Sequence, residues 1–288
     1  MPDPEHTATG AVVSLWRYPV KSMLGEEVHA VPVTDRGLFG DRVYALRDGS
    51  DGKVATAKNP RKWPNLFAFQ ATLMEPSNGG AKASAVHIRF PDGTVITGEH
   101  RDINRALSSA LNREVTLIST GRGHLPDAQS SAPASWTAKS EEYWPDLDGL
   151  DHRDTVTDFD LPVGTFFDCA PVHLLTTATL DALQTFYPQG RFESERFRPN
   201  IVVKPAGGEQ TFAENSWIGH ILAIGDDVRL SVTGPCGRCV MTTLAQGNLS
   251  ADSGILRTAV QHNRANVGVY ATVVRGGTVR RGDLVRLE

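Results

Sequence analysis

The sequence predicts an α+β protein that is mostly β and consists of two domains. Its apolar runs are short and alternate with polar residues, turns rich in Gly, Asp and Pro separate them, and three segments have helical spacing. A chain of 288 residues is long enough for two average domains. A chain of this length also buries a core without disulfides or metal ions.

The first domain is predicted at residues 11–120, after a loose segment at 1–10. Its strands are indicated by the runs AVVSLWRY, EVHAVPV, RVYAL, FAFQATLM, AVHIRF and TVITG. Asp102 is the expected N-cap of a helix formed by INRALSSAL, whose apolar residues share one face. The strand EVTLIS is expected to follow this helix.

Residues 121–160 are dense in Pro, Ser, Ala and Asp, and we expect a linker or excursion loop there. The second domain is predicted at 161–288, with strands in TFFDCAPVHLL and IVVKP and a hairpin in ILAIGDDVRLSVTG. Helices are expected in TTATLDALQTFYP, capped by Thr177 or Thr179, and in GILRTAVQHN. The final run, VYATVVRGGTVRRGDLVRL, is expected to form a hairpin that closes a β-barrel or sheet.

Charge and composition argue against several classes of function. A formal net charge of -4 disfavours general nucleic-acid binding, which needs a basic surface. The N-terminus lacks a signal-peptide pattern and no apolar stretch approaches about 18 residues, so we expect a cytoplasmic protein without a membrane partner. Three cysteines are too few for a disulfide scaffold and indicate a reducing compartment.

The segment TGPCGRCVMTT contains Cys236 and Cys239, separated by two residues. Free backbone N–H groups and the adjacent Arg238 predict a thiolate, which is the form that binds soft metals. A zinc site would need about four ligands. A thioredoxin-type pair would open a helix, whereas the residues after Cys239 indicate the start of a strand. The motif alone leaves ligation, redox chemistry and two buried structural cysteines open.

Two other segments carry polar residues at the ends of predicted strands. YPVKS contains Lys21 and Ser22, and Arg42 follows about twenty residues later, so together they offer an ammonium, a hydroxyl and a guanidinium to a phosphate or polar heterocycle. FRPNIVV contains Arg198 and Asn200 directly before an apolar strand, where polar residues often line a pocket. Each segment on its own also fits a solvated strand end.

Taken together and in this order, YPVKS, GDR, FRPNIVV, AENSW, CGRCVMTT and VGVY with TVRRGD resemble the MOSC-domain family, named for the C-terminal domain of molybdenum cofactor sulfurase. The resemblance is to members of the amidoxime-reducing component type and covers nearly the whole chain from Ala11. It implies an N-terminal MOSC-associated β-barrel domain followed by a MOSC β-barrel domain with a few helices.

The resemblance also implies a pterin-based molybdenum cofactor, with Cys239 as the catalytic residue and the molybdenum ligand. Around the pterin or its phosphate it places Lys21, Ser22, Arg42, Asp168, Arg198, Asn200 and Tyr270. Two positions depart from the family pattern. Leu244-Ala245-Gln246 replaces a frequent Val-Asp-Pro segment, and Cys169 stands where a hydroxyl residue is common.

The implied activity is the reduction of N-hydroxylated substrates such as amidoximes, hydroxylamines and hydroxamic acids. A ferredoxin-like extension found in some relatives is missing, so electrons are expected from a separate donor protein of the reductase, ferredoxin or cytochrome type. Two alternatives stay open at this point. One is a sulfur carrier with a persulfide on Cys239 or Cys236, and the other is a module that stores or delivers the cofactor.

Overall fold

The structure is a computed structural model that describes residues 9–74, 85–120, 136–150, 153–207 and 211–288. Within these residues strands dominate and a few helices accompany them, which confirms the predicted α+β, mostly β class. The strands are β1 (Gly10–Arg17), β2 (Glu26–Val28), β3 (Ala30–Thr34), β4 (Gly37–Leu38), β5 (Tyr44–Asp48), β6 (Gln70–Leu73), β7 (Val86–Arg89), β8 (Val95–Thr97), β9 (Val115–Ser119), β10 (Lys139–Trp144), β11 (Thr155–Asp160), β12 (Val172–Thr176), β13 (Ile201–Pro205), β14 (Ile221–Ile224), β15 (Val228–Gly237), β16 (Asn266–Arg275), β17 (Gly277–Arg280) and β18 (Leu284–Leu287). The α-helices are α1 (Ile103–Leu111), α2 (Thr177–Phe186), α3 (Ser194–Phe197) and α4 (Gly254–Asn263).

A closed β-barrel forms the second domain. Its strand order is β13-β12-β16-β15-β14-β18-β1, and pairing of β1 with β13 closes the ring. β12 and β13 run parallel, whereas the other neighbours are antiparallel. Inward-facing apolar side chains fill the barrel, among them Leu15, Leu174, Ile201, Leu230 and Val269. Closure leaves these strands without a free edge and fixes which face is buried.

The first strand belongs to this barrel, although it lies in the sequence of the predicted first domain. β1 is hydrogen bonded to β13 and to β18, near the end of the chain. The Thr9 amide also donates to the Val285 carbonyl at 2.7 Å, and Gly10 lies in β1. Thr9 and Gly10 are therefore ordered, although the sequence analysis expected a loose segment there. The rest of that segment, at 1–8, lies outside the described residues.

The first domain packs two small sheets around its own apolar core, namely β5 with β9 and β6-β7-β8. The sheet β17-β3-β4 packs on the barrel core instead, through Val31, Val33, Leu38 and Val279. Phe69, Ile88 and Leu107 lie in the core of the first domain, and Met241 of the second domain packs into it as well. The core of the first domain thus extends to the segment that follows Cys239.

Helix prediction was correct in placement and partly wrong in capping. α1 and α4 coincide with the predicted segments, and Asp102 is the N-cap residue of α1 without a side-chain capping bond. α2 is capped by Thr176, whose hydroxyl accepts from the Thr179 amide at 3.2 Å, rather than by Thr177 or Thr179. Of the helices in the described part of the chain, none is long and apolar enough to cross a membrane.

Part of the predicted linker is a β-hairpin. β10 and β11 pair antiparallel over their full length, from Lys139 opposite Asp160 to Trp144 opposite Thr155. The sequence analysis missed this hairpin because its strands carry many charged residues and no clear apolar alternation. Residues 121–135 of the predicted linker lie outside the described residues.

The predicted C-terminal hairpin around residues 275–278 is wrong. β17 pairs with β3, placing Val279 opposite Val31, while β16 pairs with β15 and β12. Val279 is fully buried in the barrel core opposite Val31, and burial of this apolar surface favours the pairing with β3. The barrel is closed instead through β18, which pairs with β14 and β1.

Candidate functional site

A cleft between the two domains collects the eight residues predicted to hold the cofactor. Its walls include Lys21, Ser22, Arg42, Asp168, Arg198, Asn200, Cys239 and Tyr270. Lys58, His173 and Arg238 also line it. Lys58 was not anticipated, because the segment TAKNPRK has no spacing that sets one lysine apart from its neighbours. Only the fold brings Lys58 beside Asp168.

The Cys239 segment is held as a short 3₁₀ turn. β15 ends at Gly237 and the turn covers Val240–Thr243, so the strand predicted after Cys239 is wrong. The Thr242 hydroxyl donates to the Cys239 carbonyl at 3.0 Å, and the Arg196 guanidinium donates to the Thr242 carbonyl at 3.1 Å. Threonine hydroxyls that bond back to nearby carbonyls favour a tight turn over a strand. The thiol therefore sits at a fixed position in the junction between the domains.

The pKa is lowered at the Cys236 thiol and raised at the Cys239 thiol. Nη1 of Arg238 is 2.8 Å from Sγ of Cys236. Burial alone would raise the pKa of Cys236, but the charges of His173 and Arg238 lower it. At Cys239 burial dominates and raises the pKa to about 12, with only partial opposition from Lys58. The predicted thiolate at Cys239 is therefore wrong for the protein alone, because the neighbouring guanidinium turns to the other thiol.

Asp168 joins two lysines in the cleft. The Lys21 ammonium donates to the Asp168 carboxylate and to the Phe166 carbonyl, the latter at 2.9 Å. Lys58 Nζ lies 3.5 Å from the other carboxylate oxygen of Asp168. Burial would raise the pKa of Asp168, but Lys21 and Lys58 hold it well below its usual range. The carboxylate thus anchors two cations, and the cleft needs this anchor because unpaired buried ammonium groups are costly.

Two guanidinium groups lie close together at the other side of the cleft. Arg42 pairs with Asp41, and its second amino group is 3.5 Å from the Arg198 carbonyl. Arg198 stacks over the Tyr18 ring at 4.2 Å and donates to the Met23 carbonyl at 2.6 Å. Burial, together with the nearby charge of Arg42, lowers the pKa of Arg198 to about 10. An anion between these groups would relieve their repulsion.

Asn200 and Ser22 support the walls of the cleft. The Asn200 side chain donates to Asp41 at 2.9 Å and accepts from the His173 amide at 3.0 Å. The Ser22 hydroxyl accepts from the Ala57 amide at 3.0 Å. These bonds tie β13, β12 and the first domain together around the cleft.

The charges of the cleft fit an anionic cofactor that carries its own metal. The cationic side chains in its walls are Lys21, Lys58, Arg42, Arg198 and Arg238. They outnumber the carboxylates, and Nε of Arg238 is buried without a hydrogen-bond partner among the described residues. Across the described ranges no group of three His, Cys, Asp or Glu side chains could hold a metal ion by itself. The donor set therefore suits one soft thiol ligand plus a phosphate-bearing organic group.

Sequence models of two protein families match the two halves of the chain. The MOSC N-terminal beta barrel domain matches residues 9–136, and the MOSC domain matches residues 162–286. The chain belongs to the MOSC family. The resemblance that the motifs indicated is thereby confirmed for this MOSC protein.

Curated relatives of this MOSC protein include the mitochondrial amidoxime reducing component 2 of Rattus norvegicus, 29% identical over 96% of this chain and 82% of its own length. The mitochondrial amidoxime-reducing component 1 of Homo sapiens is 23% identical over 96% of this chain and 83% of its own length. A molybdenum cofactor sulfurase from Oryza sativa subsp. japonica is 26% identical over 82% of this chain but only 28% of its own length.

Proposed function

We propose that this MOSC protein is a molybdenum-cofactor-dependent oxidoreductase that reduces N-hydroxylated compounds, namely amidoximes, hydroxylamines and hydroxamic acids. The observation that carries the proposal is the convergence of the Cys239 thiol with an excess of buried and half-buried cations in one cleft. The names of the amidoxime reducing components support the reaction class. A bare sulfur carrier would have no use for so many cations around its thiol.

Cys239 would be the ligand of molybdenum, and Arg42, Arg198 and Lys21 would bind the phosphate and pterin. The raised pKa of Cys239 has a consequence for loading. A thiol must lose its proton before it binds a metal, so loading releases a proton and is favoured as pH rises. Lys58 assists, because its positive charge lowers the pKa of Cys239 and so offsets part of the increase that burial causes.

When bound, the cofactor supplies the two-electron chemistry that the protein side chains cannot supply. Overall, the substrate takes up two electrons and two protons, its N–O bond breaks, and water leaves. Lys58 keeps its proton, because despite burial the carboxylates of Asp168 and Glu142 help to raise its pKa. Lys58 therefore acts as a fixed positive charge, and we infer that a separate donor protein provides the electrons.

The test is molybdenum content and activity of protein expressed with molybdate. We expect near-stoichiometric molybdenum in the wild type and in the matched control Cys169→Ser, and its loss in Cys239→Ser. The wild type should reduce benzamidoxime with reduced viologen as the electron source. Absence of molybdenum from every sample, with a cyanolysable sulfur on Cys239, would reject the proposal and favour the sulfur carrier. Bound molybdenum without N–O reduction would also reject it and favour cofactor storage or delivery.

A further inference from the structure

A second cavity lies beside the Cys239 cleft. Its volume is ≈ 330 Å³, and it is enclosed by residues from 34–43 of the first domain and from 162–171 of the second. Pockets for small organic molecules have volumes of about 300–1,000 Å³. The cavity therefore has room for a compact organic group.

This cavity, which we call the apolar chamber, is walled largely by Leu38, Phe39, Val43, Leu73, Val163 and Phe167. Leu38, Leu73 and Phe167 are buried, whereas Val163 is 60% exposed and stands at the mouth. The chamber thus offers a hydrophobic wall with one accessible side.

The charged residues that line the apolar chamber are either exposed to solvent or paired with one another. Asp35 and Arg36 are exposed to solvent. Arg42 pairs with Asp41, whose carboxylate also accepts from Asn200. An anionic cofactor therefore matches the cationic cleft, and an apolar group matches the chamber.

The two cavities share part of their walls, since Arg42, Phe167, Cys169 and Ala170 line both. A molecule in the chamber would therefore have one end at the Cys239 cleft. We propose that the apolar chamber binds the aromatic or alkyl body of the substrate while the N-hydroxylated end points to the Cys239 cleft. This inference rests on the proposed function and narrows its substrates to N-hydroxylated compounds with an apolar body.

Removal of an apolar body from water is the driving force of this binding, so affinity should rise with the size of that body. Benzamidoxime and acetamidoxime have the same reacting group and differ in a phenyl against a methyl substituent. If the chamber holds the substituent, benzamidoxime binds more tightly than acetamidoxime. A bulky side chain at the mouth of the chamber then removes this difference in affinity.

The experiment compares the cofactor-loaded wild type with Val163→Trp and Thr165→Trp, which place an indole at the chamber wall. Val274→Trp is the matched control, because Val274 is 61% exposed and lies on β16. Dissociation constants are measured calorimetrically without an electron donor, so that no turnover occurs. KM values are then measured with reduced viologen.

We expect Val163→Trp and Thr165→Trp to raise the dissociation constant and KM for benzamidoxime at least fivefold. The dissociation constant and KM for acetamidoxime should stay within twofold of the wild-type values. Val274→Trp should change these values for neither substrate. Benzamidoxime binding that is unchanged in both chamber variants, or that never saturates, would overturn the inference even if the wild type reduces amidoximes. Saturable binding that both variants weaken, without any reduction by the wild type, would support the chamber as a binding site and reject the reductase function.

Discussion

Nη1 of Arg238 lies 2.8 Å from Sγ of Cys236. The guanidinium thus contacts the cysteine two residues before it in the sequence rather than the adjacent Cys239. Its other amino group donates to the Phe197 carbonyl at 2.8 Å, which fixes this orientation. Because a cation that faces a thiol stabilises its thiolate form, Arg238 helps to lower the pKa of Cys236. Cys239 keeps its proton and stays available as a neutral thiol that a metal can deprotonate.

Removal of the Cys236 thiol should therefore destabilise the fold. In Cys236→Ala the half-buried guanidinium of Arg238 loses its hydrogen bond to the buried sulfur, and loss of a hydrogen bond to a charged group costs about 1.5–3 kcal/mol. Urea denaturation at pH 7 measures the change in the free energy of unfolding. Cys169→Ala is the control, since Cys169 is exposed and its loss should cost no more than about 0.5 kcal/mol. Equal losses in both variants would contradict this hydrogen bond.

Asp168 should stabilise the protein in a pH-dependent manner. Its folded pKa is lowered, so its contribution is complete above the unfolded pKa of about 3.9 and is lost as pH falls toward the folded pKa. Asp168→Asn should cost about 3 kcal/mol at pH 7, since Lys21 and Lys58 lose their shared counter-charge. Urea denaturation from pH 7 to pH 3 should show this difference shrink below about pH 4. A difference that is constant over this range would contradict the prediction.

Glu214 should make stability depend on pH in the direction opposite to that of Asp168. Its carboxylate is buried and one oxygen accepts from the Thr176 and Thr179 hydroxyls at 2.5 and 2.6 Å, while the other oxygen has no hydrogen-bond partner in the described part of the chain. Burial raises the pKa of Glu214, and the two hydroxyl bonds oppose this only in part. The folded state then binds more protons than the unfolded state above about pH 4.3, so stability falls as pH rises toward the folded pKa.

Glu214→Gln cannot titrate, and we expect its free energy of unfolding relative to the wild type to increase with pH across this window. Chemical denaturation at several pH values between 4 and 8 measures the effect. A stability difference that is the same at each pH would show that Glu214 ionises normally.

Gly268 is expected to be intolerant of any side chain. Its φ is +84°, and a Cβ would overlap the His173 ring and lie 2.5 Å from the Leu174 carbonyl oxygen. Gly282 is a matched control, because its φ is +95° but a Cβ there meets no atom within 4 Å. Both alanine variants incur backbone strain of about 1–2 kcal/mol, and only Gly268→Ala adds the clash. Thermal unfolding should therefore show a much larger loss for Gly268→Ala, and similar losses would contradict the close approach.

Glu141 should hold the β10–β11 hairpin on the first domain. Its carboxylate accepts from Lys53 Nζ at 2.9 Å and from the Asn59 amide at 3.0 Å, and the side chain is only 12% exposed. Glu141→Gln should weaken this attachment by about 2 kcal/mol, which amide hydrogen exchange in β10 and β11 can measure. Asp160→Asn is the control, since its side chain is 62% exposed and 3.7 Å from Lys139. Equal acceleration of exchange would contradict the role of Glu141.

Much of the fold was predictable because its signals are local. Alternating apolar residues and turn residues indicated the mostly β class, and helical spacing located α1 and α4. The polar motifs and the family resemblance that they carry named eight side chains that the structure brings to one cleft, although their contact with a cofactor stays a proposal. These features depend on residues that are near one another in the sequence or on motifs that recur together.

Strand partners and charge placement needed the tertiary structure. β17 follows β16 directly but pairs with β3, because Val279 is buried best beside Val31 in the barrel core. Likewise, the sequence places Arg238 beside Cys239, but the folded backbone directs its guanidinium to Cys236. Local sequence thus specified which secondary structures and reactive groups the chain has. Burial and contacts between distant segments determined which strands pair and which thiol has the lowered pKa.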